Sequence, residues 1–95
     1  MSENNTDNRT AKRFKLEETG ILYDVNFDRL PIRLIDISTK GLKIAGVDLI
    51  ADQEVVIEWN GLEVGATVMW AIGEAAGLKF DDELEDNHPL LVIGQ

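Results

Sequence analysis

Hydrophobic and polar residues alternate in several short stretches of this chain, the pattern of β-strands with one buried face. In the first stretch, apolar residues recur at every second position: Ile21, Tyr23, Val25 and Phe27. Turn residues at 28–31 precede a stretch at 32–38 that is rich in β-formers and apolar enough to predict a strand buried on both faces. A turn at 39–41 then leads into a short strand at 42–45.

A β-hairpin is the clearest local feature of the chain. Two alternating stretches, Glu54–Trp59 and Leu62–Ile72, flank the dipeptide Asn60-Gly61, whose residues tolerate the positive φ angles of a type I′ turn. The apolar side chains predicted to share one face of the second stretch are Leu62, Val64, Ala66, Val68, Trp70 and Ile72. A turn at 73–77 and a final strand at 78–80 complete the pattern.

The order of these elements predicts the fold class. Six strands with short connections, and no helical periodicity before residue 81, indicate a mainly all-β fold, a small six-stranded antiparallel β-barrel. Residues 1–8 are polar and predict a flexible leader. We expect an arm at 9–15, a barrel at about 18–80 and a C-terminal tail at 81–95.

The tail combines an acidic run at 81–86 with an apolar run at 88–93. Asp81 and Asp82 can occupy the first turn of a short C-terminal helix, where negative charge is favoured. Pro89 would interrupt a longer helix. We expect the tail to cover one end of the barrel or to contact a partner.

Composition limits the classes of protein that the chain can belong to. Its 95 residues, 44% hydrophobic and 28% charged, suit one compact globular domain. The absence of cysteine excludes disulfides and thiolate metal sites and is consistent with a reducing compartment. The first residues lack the apolar core of a signal peptide, and no apolar run is long enough to span a bilayer. These features predict a cytoplasmic protein without membrane insertion.

The distribution of charge is more informative than its total. A net charge of -9 opposes binding to DNA, RNA or an anionic membrane surface. Four of the nine basic residues nevertheless fall within seven positions: Arg9, Lys12, Arg13 and Lys15. A small basic arm on an acidic body suits a compact anion better than a polymer. The alternative is that this arm is a solvated, disordered tail.

Two segments contain the candidate binding residues. Arg9 and Arg13, if extended, have Cα atoms about 13 Å apart, and each guanidinium can bond two phosphate oxygens or the O6 and N7 edge of guanine. Asp36 can accept from guanine N1–H and N2–H, and Ser38 can donate to a phosphate or brace the local turn. Gly41 can take an unusual backbone conformation or let a ligand approach closely. Alternatively, Asp36 and Ser38 bond only local backbone groups in a plain turn.

In combination, these segments form the pattern Arg-x-x-x-Arg followed by Asp-x-Ser-x-x-Gly, which resembles the PilZ domain family. The likeness covers most of residues 9–80, including Val68-Met-Trp70 and Gly77-Leu-Lys-Phe80. It implies a PilZ-type barrel whose flexible N-terminal arm folds over the bacterial second messenger cyclic di-GMP when this ligand binds. The implied function is a receptor or adaptor, without cofactor, that signals to an unidentified downstream protein in motility or biofilm regulation.

The implied ligand-binding residues are Arg9, Arg13, Asp36, Ser38 and Gly41, with Lys12, Lys40, Trp70 and Gly77 as weaker candidates. The alternation of Trp70 with Val68 favours core packing over stacking on the ligand. His88 is the single histidine, and the acidic run lacks the spacing of a calcium loop, so we expect no metal site.

The sequence leaves two alternatives to a cyclic di-GMP receptor. A PilZ-like interaction protein of motility or pilus machinery could act without nucleotide, through the acidic surface or the apolar tail. An enzyme is disfavoured because the chain has no cysteine nucleophile, no recognisable Ser-His-Asp arrangement and no Gly-rich phosphate loop.

Overall fold

The computed structural model describes residues 12–94. The described residues form six strands and one short helix, listed here in chain order: β1 (Phe14–Tyr23), β2 (Arg29–Ile37), β3 (Gly41–Ala45), β4 (Glu54–Trp59), β5 (Leu62–Ile72), β6 (Ala75–Phe80) and α1 (Pro89–Gly94). The strands form a closed antiparallel barrel in the order β1-β2-β3-β6-β5-β4, with β4 paired back to β1. The predicted all-β, six-stranded antiparallel barrel is therefore confirmed.

The hairpin between β4 and β5 has the predicted turn. Asn60 and Gly61 have φ angles of 53° and 82°, and Trp59 pairs with Leu62 on either side of them. Two positive φ values in a two-residue loop are the requirement of a type I′ turn. The boundaries of both strands also match the prediction.

Strand β1 differs from its prediction in start, end and buried face. It begins at Phe14, so the end of the predicted arm belongs to the barrel, and Leu16 and Leu22 rather than Ile21 face the core. It ends at Tyr23 because Oδ1 of Asp24 accepts hydrogen bonds from the backbone N–H groups of Asn26 and Asp28. This turn diverts the chain away from the barrel.

Strand β2 is buried on one face, not on both. Ile32, Leu34 and Ile37 are buried, whereas Arg33 is exposed. A change of register opposite β3, between Leu34 and Asp36, moves the buried positions from even to odd numbers. The last strand is also longer than predicted, since β6 begins at Ala75 and only Gly73 and Glu74 form the turn.

The tail covers part of the barrel, as predicted, but its helix begins at Pro89 and not at Asp81. Pro89 occupies the first helical position, where its missing N–H needs no partner, and Nδ1 of His88 accepts from the N–H of Leu90. Leu90 and Leu91 are 1% exposed and pack against β1 and β2. Asp81 instead donates its N–H to the carbonyl of Gly65 at 3.0 Å, which continues the pairing with β5.

Between residues 12 and 94, no helix has the length and apolar character needed to cross a lipid bilayer.

Candidate functional site

A groove of about 460 Å³ lies beside Arg13, the residue directly before β1, and is lined by residues of β2, β3, β5 and β6. Its lining combines cationic, apolar and glycine positions: Arg13, Asp36, Lys40, Gly41, Leu42, Lys43, Met69, Trp70, Gly77, Leu78 and Lys79. We call it the basic groove. Six of the sequence-predicted site residues therefore meet in one place, although they come from five segments of the chain.

The basic groove concentrates positive charge in an acidic protein. Four of the nine basic residues of the chain line it: Arg13, Lys40, Lys43 and Lys79. Among the described residues that line it, Asp36 provides the single carboxylate. A concave wall with an excess of one charge attracts small ions of the opposite sign, so this groove suits a compact anion.

Arg13 and Asp36 form an ion pair across the groove. Nε and Nη2 of Arg13 lie 2.7 and 2.5 Å from the same carboxylate oxygen, Oδ1 of Asp36. The antiparallel pairing of β1 with β2 sets this contact, since Lys15 pairs with Asp36. The Arg13 side chain is 49% exposed and that of Asp36 is 23% exposed, so ligand atoms can reach both.

Ser38 stabilises the turn between β2 and β3. Its N–H donates to the carbonyl of Gly41, and its Oγ accepts from the N–H groups of Lys40 and Gly41, each at 3.2 Å. The residue is 1% exposed and does not line the groove. Of the two roles left open by the sequence, turn bracing is observed, and a direct phosphate contact stays a prediction.

Gly41 allows two strands to approach each other closely. A β-carbon at this position would collide with the backbone carbonyl of Leu78 on β6, because Gly41 pairs with Lys79 at the start of β3. Its φ angle is not positive, so close packing and not an unusual backbone conformation explains the glycine. Because Gly41 follows Lys40 and pairs with Lys79, this close approach brings the two lysines to the same part of the groove.

Trp70 lies on the groove surface, so the core packing favoured by the sequence is wrong. The register between β5 and β6 shifts between Val68 and Trp70, and this bulge leaves Met69 and Trp70 56% and 40% exposed. A β-carbon on Gly77 would collide with the Trp70 indole. The ring therefore lies against the Gly77 backbone and presents an aromatic surface to the groove.

Some of the predicted residues lie elsewhere. Arg9 is outside the described residues. Lys12 is exposed and does not line the groove, and its Nζ lies 5.5 Å from the centroid of the Phe14 ring. Lys43 and Lys79 line the groove but are not predicted as site residues from the sequence. Each alternates with buried neighbours on its strand, which predicts an outward side chain, but only the pairing of β3 with β6 brings the two together.

No group of three or more acidic or histidine side chains capable of holding a metal ion occurs within the part of the chain that the structure describes.

Comparison of the chain with models of known protein families and with curated proteins found no match.

Proposed function

We propose that the basic groove binds cyclic di-GMP in the cytoplasm and that the protein is a binding module, not an enzyme. The observation on which this rests is the convergence of four cations, one carboxylate and one exposed indole in a groove of about 460 Å³. That volume lies in the usual range of small-molecule sites. A cyclic dinucleotide offers matching groups, namely two phosphodiesters and two purine bases.

Each lining residue has a distinct role in this proposal. Arg13 and the three lysines bind phosphodiester oxygens, with the planar guanidinium able to bond two oxygens at once. The Asp36 carboxylate accepts from N1–H and N2–H of one guanine, a donor pair that adenine lacks. Trp70 stacks on a base, since every purine has a π face. Specificity for guanine thus depends on Asp36, while much of the affinity comes from charge and stacking.

The Arg-x-x-x-Arg and Asp-x-Ser-x-x-Gly motifs support this proposal, because their resemblance to the PilZ family implies the same ligand. Arg13 lines the groove and directly precedes β1, so the described part of the chain begins beside the groove. In the proposal, Arg9 completes the clamp on the ligand, and ordering of this arm changes the surface offered to a downstream protein. The entropy lost by the arm must be offset by charge-assisted contacts.

Tryptophan fluorescence provides a direct test, because the two tryptophans differ in position. Trp59 is 8% exposed and donates its Nε1–H to Glu18, whereas Trp70 lies at the groove. We expect cyclic di-GMP to change the emission of the Trp59→Phe variant, in which Trp70 remains. The Trp70→Phe variant should show little change.

Cyclic di-AMP is the matched control ligand, since it keeps both phosphodiesters and loses the guanine donors. It should bind more weakly than cyclic di-GMP. A flat titration up to about 1 mM cyclic di-GMP, which corresponds to a binding free energy of about -4 kcal/mol, would contradict the proposal. That result would favour a nucleotide-independent interaction protein.

A further inference from the structure

A second groove, of about 550 Å³, lies between the end of β1 and the beginning of β4. It shares no lining residue with the basic groove. Its apolar part includes Val25 and Phe27, which are 61% and 83% exposed. Its polar part includes four carboxylates, those of Asp24, Glu54, Glu63 and Asp81. We call it the acidic groove.

The acidic groove exists because the pairing between β1 and β4 stops early. The last pair is Tyr23 with Val56, but β4 begins at Glu54, so its first two residues extend past β1. The Asp24 turn directs the chain away from the position where β1 would continue. Among residues 12–94, a short edge of β4 therefore has no neighbouring strand on this side.

The backbone of Glu54 faces this open edge. On the other side of β4, the carbonyl of Gln53 accepts from the N–H of Val68 in β5. Backbone groups of successive strand residues point to opposite neighbours, so those of Glu54 point away from β5 and into the acidic groove. An extended peptide laid along this edge can pair with them, as in β-strand addition.

Charge and apolar exposure define the peptide that fits. Among residues 12–94, no lysine or arginine lines the acidic groove, so its lining is purely anionic in charge. Arg29 lies nearby, with its guanidinium carbon 6.0 Å from the centroid of the Tyr23 ring. Asp81 is held there by a hydrogen bond from Thr67. An extended segment with alternating lysine or arginine and apolar residues would meet the carboxylates with one face. Its other face would cover Val25 and Phe27.

We propose that the acidic groove docks an extended basic segment of a partner protein. The first eleven residues of this same chain contain Glu3, Asp7 and Arg9 as their charged side chains. They have no net positive charge, so charge complementarity favours another protein over self-docking. The docking does not depend on the identity of the ligand in the basic groove.

The test is a titration of the full 15N-labelled chain with a short blocked synthetic peptide that alternates lysine and valine. Amide shifts should be confined to the Tyr23–Phe27 segment and to β4 and its neighbours around Glu54, Glu63 and Asp81. Affinity should fall with added salt, and about tenfold or more in Phe27→Ser and in Glu54→Lys. Phe27 is almost fully exposed, so its replacement leaves the barrel intact.

Two matched variants control for nonspecific effects. Ile72→Ser removes another strongly exposed apolar side chain (75% exposed against 83% for Phe27), and Glu74→Lys reverses an exposed charge; neither residue lines the acidic groove. Both should bind the peptide as the parent chain does. Absence of peptide binding would overturn the proposal, as would unchanged affinity in Phe27→Ser, equal binding of a glutamate–valine peptide, or shifts centred on Arg13 and Trp70. Release of the bound peptide by residues 1–11 supplied as a separate peptide would also overturn it.

Discussion

The indole of Trp70 occupies the space in which a β-carbon on Gly77 would lie. Trp70 of β5 pairs with Gly77 of β6. Theirs is the first pair after the bulge that turns Trp70 outward. Gly77 therefore sets the position of the aromatic surface in the basic groove.

We predict that Gly77→Ala displaces the indole. The added methyl group overpacks the site, so the free energy of unfolding should fall by about 1–3 kcal/mol. Trp70 emission should shift to the red as the ring moves into water, and cyclic di-GMP affinity should fall. A double-mutant cycle with Trp70→Ala provides the control. If Gly77→Ala costs the same with and without the indole, the proposed contact is wrong.

Arg13→Ala removes the groove's single guanidinium among residues 12–94. A hydrogen bond to a charged group contributes roughly 1.5–3 kcal/mol, so affinity for cyclic di-GMP should fall about tenfold or more by calorimetry. Stability should change by no more than about 1 kcal/mol, because the pair with Asp36 is partly exposed. Arg33→Ala is the matched control, since Arg33 is exposed on β2 and does not line the groove. Equal affinity of the two variants would contradict a role of Arg13 in binding.

Asp36→Asn tests base specificity. The amide keeps the shape of the side chain but offers one acceptor oxygen instead of two, and its NH2 group repels guanine N1–H. The preference for cyclic di-GMP over cyclic di-AMP should drop by about 1–3 kcal/mol, the usual discrimination of a bidentate contact to a base. Asp48→Asn, an exposed carboxylate before β4, should leave the preference intact. An unaltered preference in Asp36→Asn would locate guanine recognition elsewhere.

Ser38→Ala should destabilise the domain. The backbone N–H groups of Lys40 and Gly41 lose their acceptor, and an unsatisfied buried donor costs about 1–3 kcal/mol. Urea unfolding measures this loss, with Thr39→Ala as the neighbouring control. Parent-like stability combined with reduced ligand affinity would instead indicate that the hydroxyl acts mainly on a ligand.

Leu91→Ala should show that α1 belongs to the folded domain. Leu91 is almost completely buried against the barrel, and truncation of such a side chain typically costs 2–5 kcal/mol, so the unfolding midpoint should fall markedly. Val92→Ala, in the next position but 52% exposed, should cost far less. Similar midpoints for the two variants would mean that the helix contributes little to the stability of the barrel.

Local chemistry explains which parts of the fold were predictable from the sequence. Asn60-Gly61 fixes its hairpin through the φ angles that the two residues tolerate, and no distant contact is needed. The Val25–Phe27 alternation continues that of β1, but the Asp24 turn ends the strand at Tyr23, four residues before Phe27. That outcome depends on a competition between strand pairing and an Asx turn, which alternation alone does not resolve.

The same distinction applies to the candidate site. Spacing within short segments predicts Arg13, Asp36 and Gly41 as site residues, and all three line the basic groove. Trp70 was assigned to the wrong face because one extra residue in β5 inverts the alternation, and the bulge is defined only against β6. Lys43 and Lys79 became neighbours through strand order, which local periodicity does not encode.

The Arg13–Asp36 ion pair has a consequence for any molecule that uses the Asp36 carboxylate. Oδ1 of Asp36 already contacts two nitrogen donors of Arg13, so an incoming base must replace them. The net binding free energy that the base gains there is the difference between two attractions of similar strength. This exchange lowers the affinity for every ligand that uses the Asp36 carboxylate. It also increases selectivity among ligands, because a ligand with poorer donors does not displace the Arg13 guanidinium.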